Sequence, residues 1–315
     1  MGLRMAHLRV YGRFLREYGR LAILTRRWHD TSLFLHTAYR IFLKRAPDVD
    51  GLNYYLQELQ GGRMTRRDAL RSLTSSTEYQ QIYGMGIGTL EALHQARALV
   101  FRELLPPAQV IVDLGGAAHE HPEGALLYLG YPYRPREIFI VDLPPDNRLT
   151  GAVGTEATQE VTTPDGVRVH YIYGSMSELS MFGDQSAELV VSGESIEHIA
   201  EAEADIVCRE AYRILRPGGS FCLDTPNAAL ARILSPDKRI HPEHQKEYYV
   251  GELADKLQRV GFEIAAMRGI CPMPRSLQNK VFDYGEIIRN IRLSDDPEEG
   301  FLFFINATKP AAKRS

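Results

Sequence analysis

The stretch Val110–Ala117, VIVDLGGA, constrains the fold more than any other part of this chain. A run of aliphatic, mostly β-branched residues ends in an acid and then a Gly-Gly pair. Such a run suits a strand buried on both faces of a parallel sheet, and the glycines suit a tight turn under a nucleotide-like cofactor. Any α/β protein can carry one such strand, so its meaning depends on the order of the strands and helices C-terminal to it.

Four more strands are expected at Glu137–Leu143, Val167–Tyr173, Glu188–Ser192 and Ser220–Asp224. Between the last two, Ala204, Val207, Cys208, Ala211 and Ile214 recur at helical spacing, and Leu215-Arg-Pro-Gly-Gly219 closes that helix. A second helix, Val250–Val260, ends at Gly261 as its C′ residue, and Phe262–Ala265 and Phe301–Thr308 complete the strands. This alternation from about Glu91 to Pro310 predicts a doubly wound α/β domain over residues 91–315.

Residues 30–90 read differently, with helical periodicity and no strand-like run. Arg45-Ala-Pro-Asp-Val-Asp-Gly51 is turn chemistry between helices, and Thr65-Arg-Arg-Asp68 resembles a capping box. Residues 1–29 form a basic amphipathic helix, with Arg9, Arg13, Arg16 and Arg20 in one stripe and Leu8, Tyr11, Leu15 and Tyr18 in another. That helix packs on protein, its own or a second copy in a homo-oligomer, or lies on an anionic membrane surface.

The net charge of −3 and the absence of a basic stripe in residues 91–315 disfavour a nucleic-acid partner. Cys208, Cys222 and Cys271 are odd in number and lack ligand spacing, so they read as reduced thiols of a cytoplasmic protein.

The set VDLGGA, Asp142, ELVVSGESIEHI, LRPGG and LADKLQRVGFEI resembles the class I S-adenosylmethionine-dependent methyltransferases. The resemblance implies a Rossmann-like fold with a mostly parallel seven-stranded sheet, beside a small N-terminal all-α domain. It implies that Asp113, Gly115, Gly116 and Ala117 pass under the methionine portion of S-adenosyl-L-methionine. Asp142 would take both ribose hydroxyls, with Leu143, Ser175 and Met176 beside the adenine. Ala117-Ala118-His119 departs from the glycine usual there. The motifs Tyr39–Arg45, Pro47–Gly51, Tyr54-Tyr55 and Ser75–Tyr79 resemble a small helical family related to phycobilisome linker domains, which implies protein contacts and no chemistry.

If Glu194-Ser-Ile-Glu197-His198 begins a helix, spacings of three and four put both carboxylates and the imidazole on one face. With Thr225-Pro-Asn227 and His244 further along, the motif resembles the metal-dependent branch of the methyltransferases. That resemblance implies Glu194, Glu197, His198 and His244 around Mg²⁺ or another divalent cation, with Glu197, His198 and His244 as catalytic residues. His241 is a further candidate ligand. Without a metal, His198 or His244 would act as general base. The expected activity is O-methylation of a sugar or other vicinal diol in a bacterial surface glycan or glycolipid. The alternatives are a quinone or phenolic acceptor, or an inactive scaffold of the same fold.

Overall fold

The computed structural model describes residues 30–74, 76, 78–79, 87–118, 121–143, 160–241 and 243–311. The basic N-terminal helix, His119 and Pro242 lie outside them. The chain forms two compact units: the first takes described residues up to 93 with 283–289, the second residues 94–282 and 290 onward.

The first unit holds α1 (Thr31–Phe42), α2 (Val49–Gln60) and α3 (Arg66–Thr74). Asp30 caps α1 by accepting the Ser32 N–H at 2.8 Å, and Asp48 caps α2 by accepting from Gly51 at 2.8 Å. The Thr65–Asp68 capping box forms in both directions, Asp68 Oδ2 taking the Thr65 N–H and Thr65 Oγ1 the Asp68 N–H. Phe34, Leu35, Ala38, Tyr39 and Phe42 present one buried stripe of α1 to Tyr55, Leu70 and Leu73. Arg45 pins the turn: its guanidinium grips both oxygens of Glu78 at 2.6 and 2.8 Å and reaches Asp48 at 3.0 Å. The motif residues of this unit are thus capping and bracing residues.

The second unit begins with the end of α4 (Ile87–Glu103) and builds one nine-stranded sheet. Its strands are β1 (Val110–Leu114), β2 (Glu137–Asp142), β3 (Glu160–Thr162), β4 (Arg168–Tyr173), β5 (Ala187–Gly193), β6 (Leu215–Pro226), β7 (Glu263–Pro272), β8 (Leu293–Ser294) and β9 (Gly300–Thr308). Their order is β3-β4-β2-β1-β5-β6-β9-β7-β8. Strands β4, β2, β1, β5 and β6 run parallel, and β9 inserts antiparallel between β6 and β7. Seven strands carry the expected Rossmann-like architecture. The two extra ones, β3 and β8, are antiparallel additions at the edges. At three and two residues they are too short for a period-two pattern to reveal.

Helices α5 (Gly124–Tyr128), α6 (Glu201–Ile214), α7 (Ala228–Leu234) and α8 (Val250–Val260) connect the strands. Ala204, Val207, Cys208, Ala211 and Ile214 of α6 are buried, as the spacing predicts, against Leu253 and Leu257 of α8 and the aliphatic faces of β1 and β5. Gly261 takes the left-handed C-cap conformation, φ +112°. LRPGG does more than end α6: it opens β6, where Gly218 and Gly219 exchange backbone hydrogen bonds with Lys309 at 2.8 and 2.9 Å. The ammonium of Lys309 in turn caps the carbonyls of Tyr212 and Leu215 at 2.7 Å.

From β1 the sheet grows through β2 and β4 on one side, then through β5 and β6 on the other. This reversal opens a crevice beyond the carboxyl ends of β1 and β5, where ligands of open α/β sheets bind.

Candidate active site

The carboxyl ends of β1, β2 and β4 lie in register. The Gly115 N–H donates to Val141 O at 2.8 Å and the Gly174 N–H to Asp142 O at 3.0 Å, aligning the loops that leave the three strands. Gly115 has φ +79°, and a Cβ on it would stand 2.7 Å from the Ser195 side chain. A Cβ on Gly116 would overlap the Asp113 carboxylate. Only glycines fit this turn.

The Asp142 carboxylate accepts the Ala117 N–H at 3.2 Å and the Leu143 N–H at 2.7 Å, joining the first loop to the second. A carboxylate in this position is of the kind that accepts from both hydroxyls of a diol. Ser175 Oγ pairs with Ser177 Oγ at 2.7 Å, and Met176 is partly buried near Gly115. Leu143 is exposed. All eight residues expected to hold the cofactor therefore stand at one edge of the sheet.

Behind them lies a buried charge cluster. Arg97, from α4, reaches Asp224 at the end of β6 at 2.7 Å and Glu194 at 3.0 Å. The Glu194 backbone is left-handed, φ +47°, a conformation disfavoured for a residue with Cβ, and its N–H is held by Asp224 O at 2.8 Å. Asp113 is 2 % exposed, and Oδ2 has no hydrogen-bond partner among the described residues. Burial, then the Asp142 charge, pushes its carboxyl up to about 7. Glu197 accepts from the Thr225 hydroxyl at 2.9 Å. Burial, then the Glu194 charge, raises it well above the usual carboxyl range.

Glu194-x-x-Glu197-His198 does not start an α-helix. It forms a left-handed residue and then a 3₁₀ turn, Ile196–His198, so the two acids turn to Arg97 and Thr225. The imidazoles gather instead: one nitrogen from each of His198, His241 and His244 lies within 4.8 Å of the others. The loop carrying His241 and His244 is tied to the His198 turn by the Gln245 and Lys246 N–H groups, which both donate to Glu197 O at 2.7 and 3.1 Å.

His244 Nδ1 meets Glu247 Oε1 at 3.1 Å, and Glu247 also accepts the Ile240 N–H at 2.7 Å and ion-pairs with Arg232 at 3.1 Å. Burial works to raise the Glu247 carboxyl, but the His244 and Ile240 hydrogen bonds and Arg232 outweigh it and hold it below the usual range. A carboxylate on Nδ1 fixes the proton there and leaves Nε2 of His244 as an acceptor. Burial, and after it the neighbouring His244, lowers His198 to about 4, and burial and the two other imidazoles lower His241 to about 4. His198 and His241 are therefore neutral at pH 7.

Residues 132–223 match the family model described as "Methyltransferase domain". Within the second unit, that stretch is similar to a methyltransferase domain. Residues 27–83 match the model described as "Domain of unknown function (DUF4214)". The chain is 34% identical over 125 residues to a protein of Mycolicibacterium smegmatis named "Probable S-adenosylmethionine-dependent methyltransferase", a match covering 39% of this chain. The chain spans 46% of that relative's length. Similar solved structures include S-adenosylmethionine-dependent methyltransferases of Thermotoga maritima (18% identity, 70% of this chain and 90% of that one, TM-score 0.46) and Archaeoglobus fulgidus (15%, 71% and 95%, 0.46).

The second unit also contains site residues that the sequence did not single out. Arg97 carried one signal, a lone cation in the apolar helix ALHQARALVF. Arg232 and Ser195 carried none, since their roles depend on Glu247 and on the Leu114 carbonyl, 2.8 Å from Ser195 Oγ.

Proposed function

We propose that the chain is an S-adenosylmethionine-dependent O-methyltransferase, with the acceptor hydroxyl received at His244. S-adenosylmethionine supplies a methyl group on a positively charged sulfur. Asp142 binds the ribose diol, the Gly115-Gly116-Ala117 turn underlies the methionine portion, and Leu143, Ser175 and Met176 flank the adenine. The buried, unpaired Oδ2 of Asp113 fits the ammonium of the methionine portion. The acceptor oxygen forms the new C–O bond as the C–S bond breaks and the pair returns to sulfur. Its proton goes to His244 Nε2, and Glu247 on Nδ1 stabilises the resulting imidazolium. The observation that carries this reading is the His244–Glu247 pair: nitrogen acceptors need no such base once unprotonated, whereas an alcohol does.

A sugar hydroxyl in a surface glycan or glycolipid is the preferred acceptor and a quinone or phenol the second, because both present hydroxyls that need deprotonation. The helical unit serves as a contact module, with Leu33, Val49 and Tyr54 exposed on its surface. Among the described residues no helix is long and apolar enough to cross a membrane.

A divalent cation is the second mechanistic reading, favoured by the convergence of three imidazoles. His198, His241 and His244 would hold it, and Glu194 and Glu197 would support it from behind. Three nitrogens suit a borderline ion better than Mg²⁺. The ion would lower the pKa of the bound hydroxyl.

Calorimetric titration tests the cofactor assignment: Asp142→Ala should weaken S-adenosylmethionine by about 100-fold, roughly 3 kcal/mol for two hydrogen bonds to a charged group. Unchanged affinity would remove Asp142 from the site. Turnover in EDTA separates the two mechanisms: retained activity leaves His244 as the base, and activity lost to EDTA and restored by added Zn²⁺ or Mn²⁺ establishes the cation.

A further inference from the structure

Beyond His244, the site opens into a pocket lined by Lys238, Arg239, His241 and His244. Lys238 and Arg239 are exposed, and neither pairs with a carboxylate among the described residues. Arg232, the third cation nearby, is already engaged by Glu247. His241 is 6 % exposed and its Nδ1 accepts the Glu243 N–H at 3.2 Å. The neutral ring therefore carries its proton on Nε2. That N–H is buried and has no hydrogen-bond partner among the described residues. A buried donor without an acceptor costs about 1–3 kcal/mol, so a native pocket with one is shaped for a ligand that supplies it.

The two histidines of this loop thus have opposite polarity. His244 presents an acceptor nitrogen, because Glu247 holds its proton on the far side. His241 presents a donor, because a backbone N–H occupies its far side. One nitrogen fits a hydroxyl that must lose a proton, and the other fits an oxygen that bears negative charge. Two unpaired cations at the mouth extend the same preference.

We propose that the methyl acceptor is anionic, and that a phosphate or carboxylate group on it is held by Lys238, Arg239 and His241 Nε2–H beside the hydroxyl received at His244. This deepens the methyltransferase reading and rests on it for the word acceptor. The oxyanion site itself stands on the pocket alone. Oriented this way, the acceptor presents the hydroxyl neighbouring its charged group, which fixes regiochemistry as well as substrate class. Neutral sugars lack the anchor.

The test is calorimetric titration of the full chain, at fixed ionic strength and in EDTA, with inorganic phosphate, glucuronate and glucose. Binding of at least one oxyanion in the millimolar range, with none for glucose, is expected. Phosphate alone would indicate a phosphoester acceptor, and glucuronate alone a uronate. Lys238→Ala/Arg239→Ala should weaken that binding about tenfold, or roughly 1.4 kcal/mol. His241→Phe should abolish it, while His241→Gln, whose amide N–H stands near the position of Nε2, should restore it. The proposal is overturned if neither oxyanion binds more tightly than glucose, if the double variant binds as well as the parent, or if His241→Phe does. Titration with S-adenosylmethionine on the same samples keeps the readings apart: lost cofactor binding rejects the methyltransferase reading, and retained cofactor binding without oxyanion binding rejects only the anionic acceptor.

Discussion

Asp113 stands out among the individual residues because it is buried without a full set of partners. Its carboxyl sits beneath Gly116 and is pushed up to about 7 by burial and by Asp142. A cationic ligand group favours the ionised form, so affinity and ionisation are coupled. Below pH 7 the free protein holds a proton that binding must release; above it none has to leave. The dissociation constant for S-adenosylmethionine should therefore fall as pH rises from 6 to 8 and then level off. Asp113→Asn should flatten that profile at weaker affinity, and a profile as steep as the parent's would separate Asp113 from cofactor binding. Glu197, also buried, is raised by burial and then by the Glu194 charge, while the Thr225 hydroxyl donating to it works the other way.

At the level of elements, the seven longer strands were legible, whereas the short edge strands β3 and β8 and the course of the histidine loop were not. β1 and α8 begin and end where the sequence places them, because a continuous apolar run and a glycine-capped amphipathic helix are local signals. The residues after β5 misled for an equally local reason. Spacings of three and four put Glu194, Glu197 and His198 on one face only if a helix forms, and the left-handed Glu194 backbone prevents it. The acids are engaged instead by Arg97 for Glu194 and Thr225 for Glu197, both far off in the chain and outside any window around residue 194. The loop carrying His241 and His244 has its own pH signature. His198 and His241 titrate near 4 when folded and near 6.5 when unfolded. Above pH 6.5 both states are neutral and nothing is contributed; between 6.5 and 4 the unfolded chain takes up protons that the folded one refuses, so stability falls as pH drops through that window. Urea midpoints at pH 7, 5.5 and 4.5, in EDTA, should decline less steeply for His198→Asn/His241→Asn than for the parent. Parallel declines would show that these imidazoles are protonated in the native state.

At the scale of the molecule, and among the described residues, the core around α1–α3 and the core between the sheet and helices α6 and α8 share no residue. Ligand binding stabilises only the body that holds the site. Scanning calorimetry should show two transitions, with saturating S-adenosylmethionine moving the larger one by several degrees and leaving the smaller in place. One transition moving as a whole would mean that the cores unfold together. Within the larger body, the Glu197 carbonyl that receives both Gln245 and Lys246 sets a timescale as well as a position. Swinging the histidine loop outward would break two backbone hydrogen bonds, at about 1–3 kcal/mol, in the same stretch whose Ser195 abuts Gly115. Lys238 and Arg239 can rotate aside at no such cost, and exposed rotamers turn over in picoseconds to nanoseconds. An acceptor held as proposed would enter by these side chains moving, with the loop still tied at the Glu197 carbonyl.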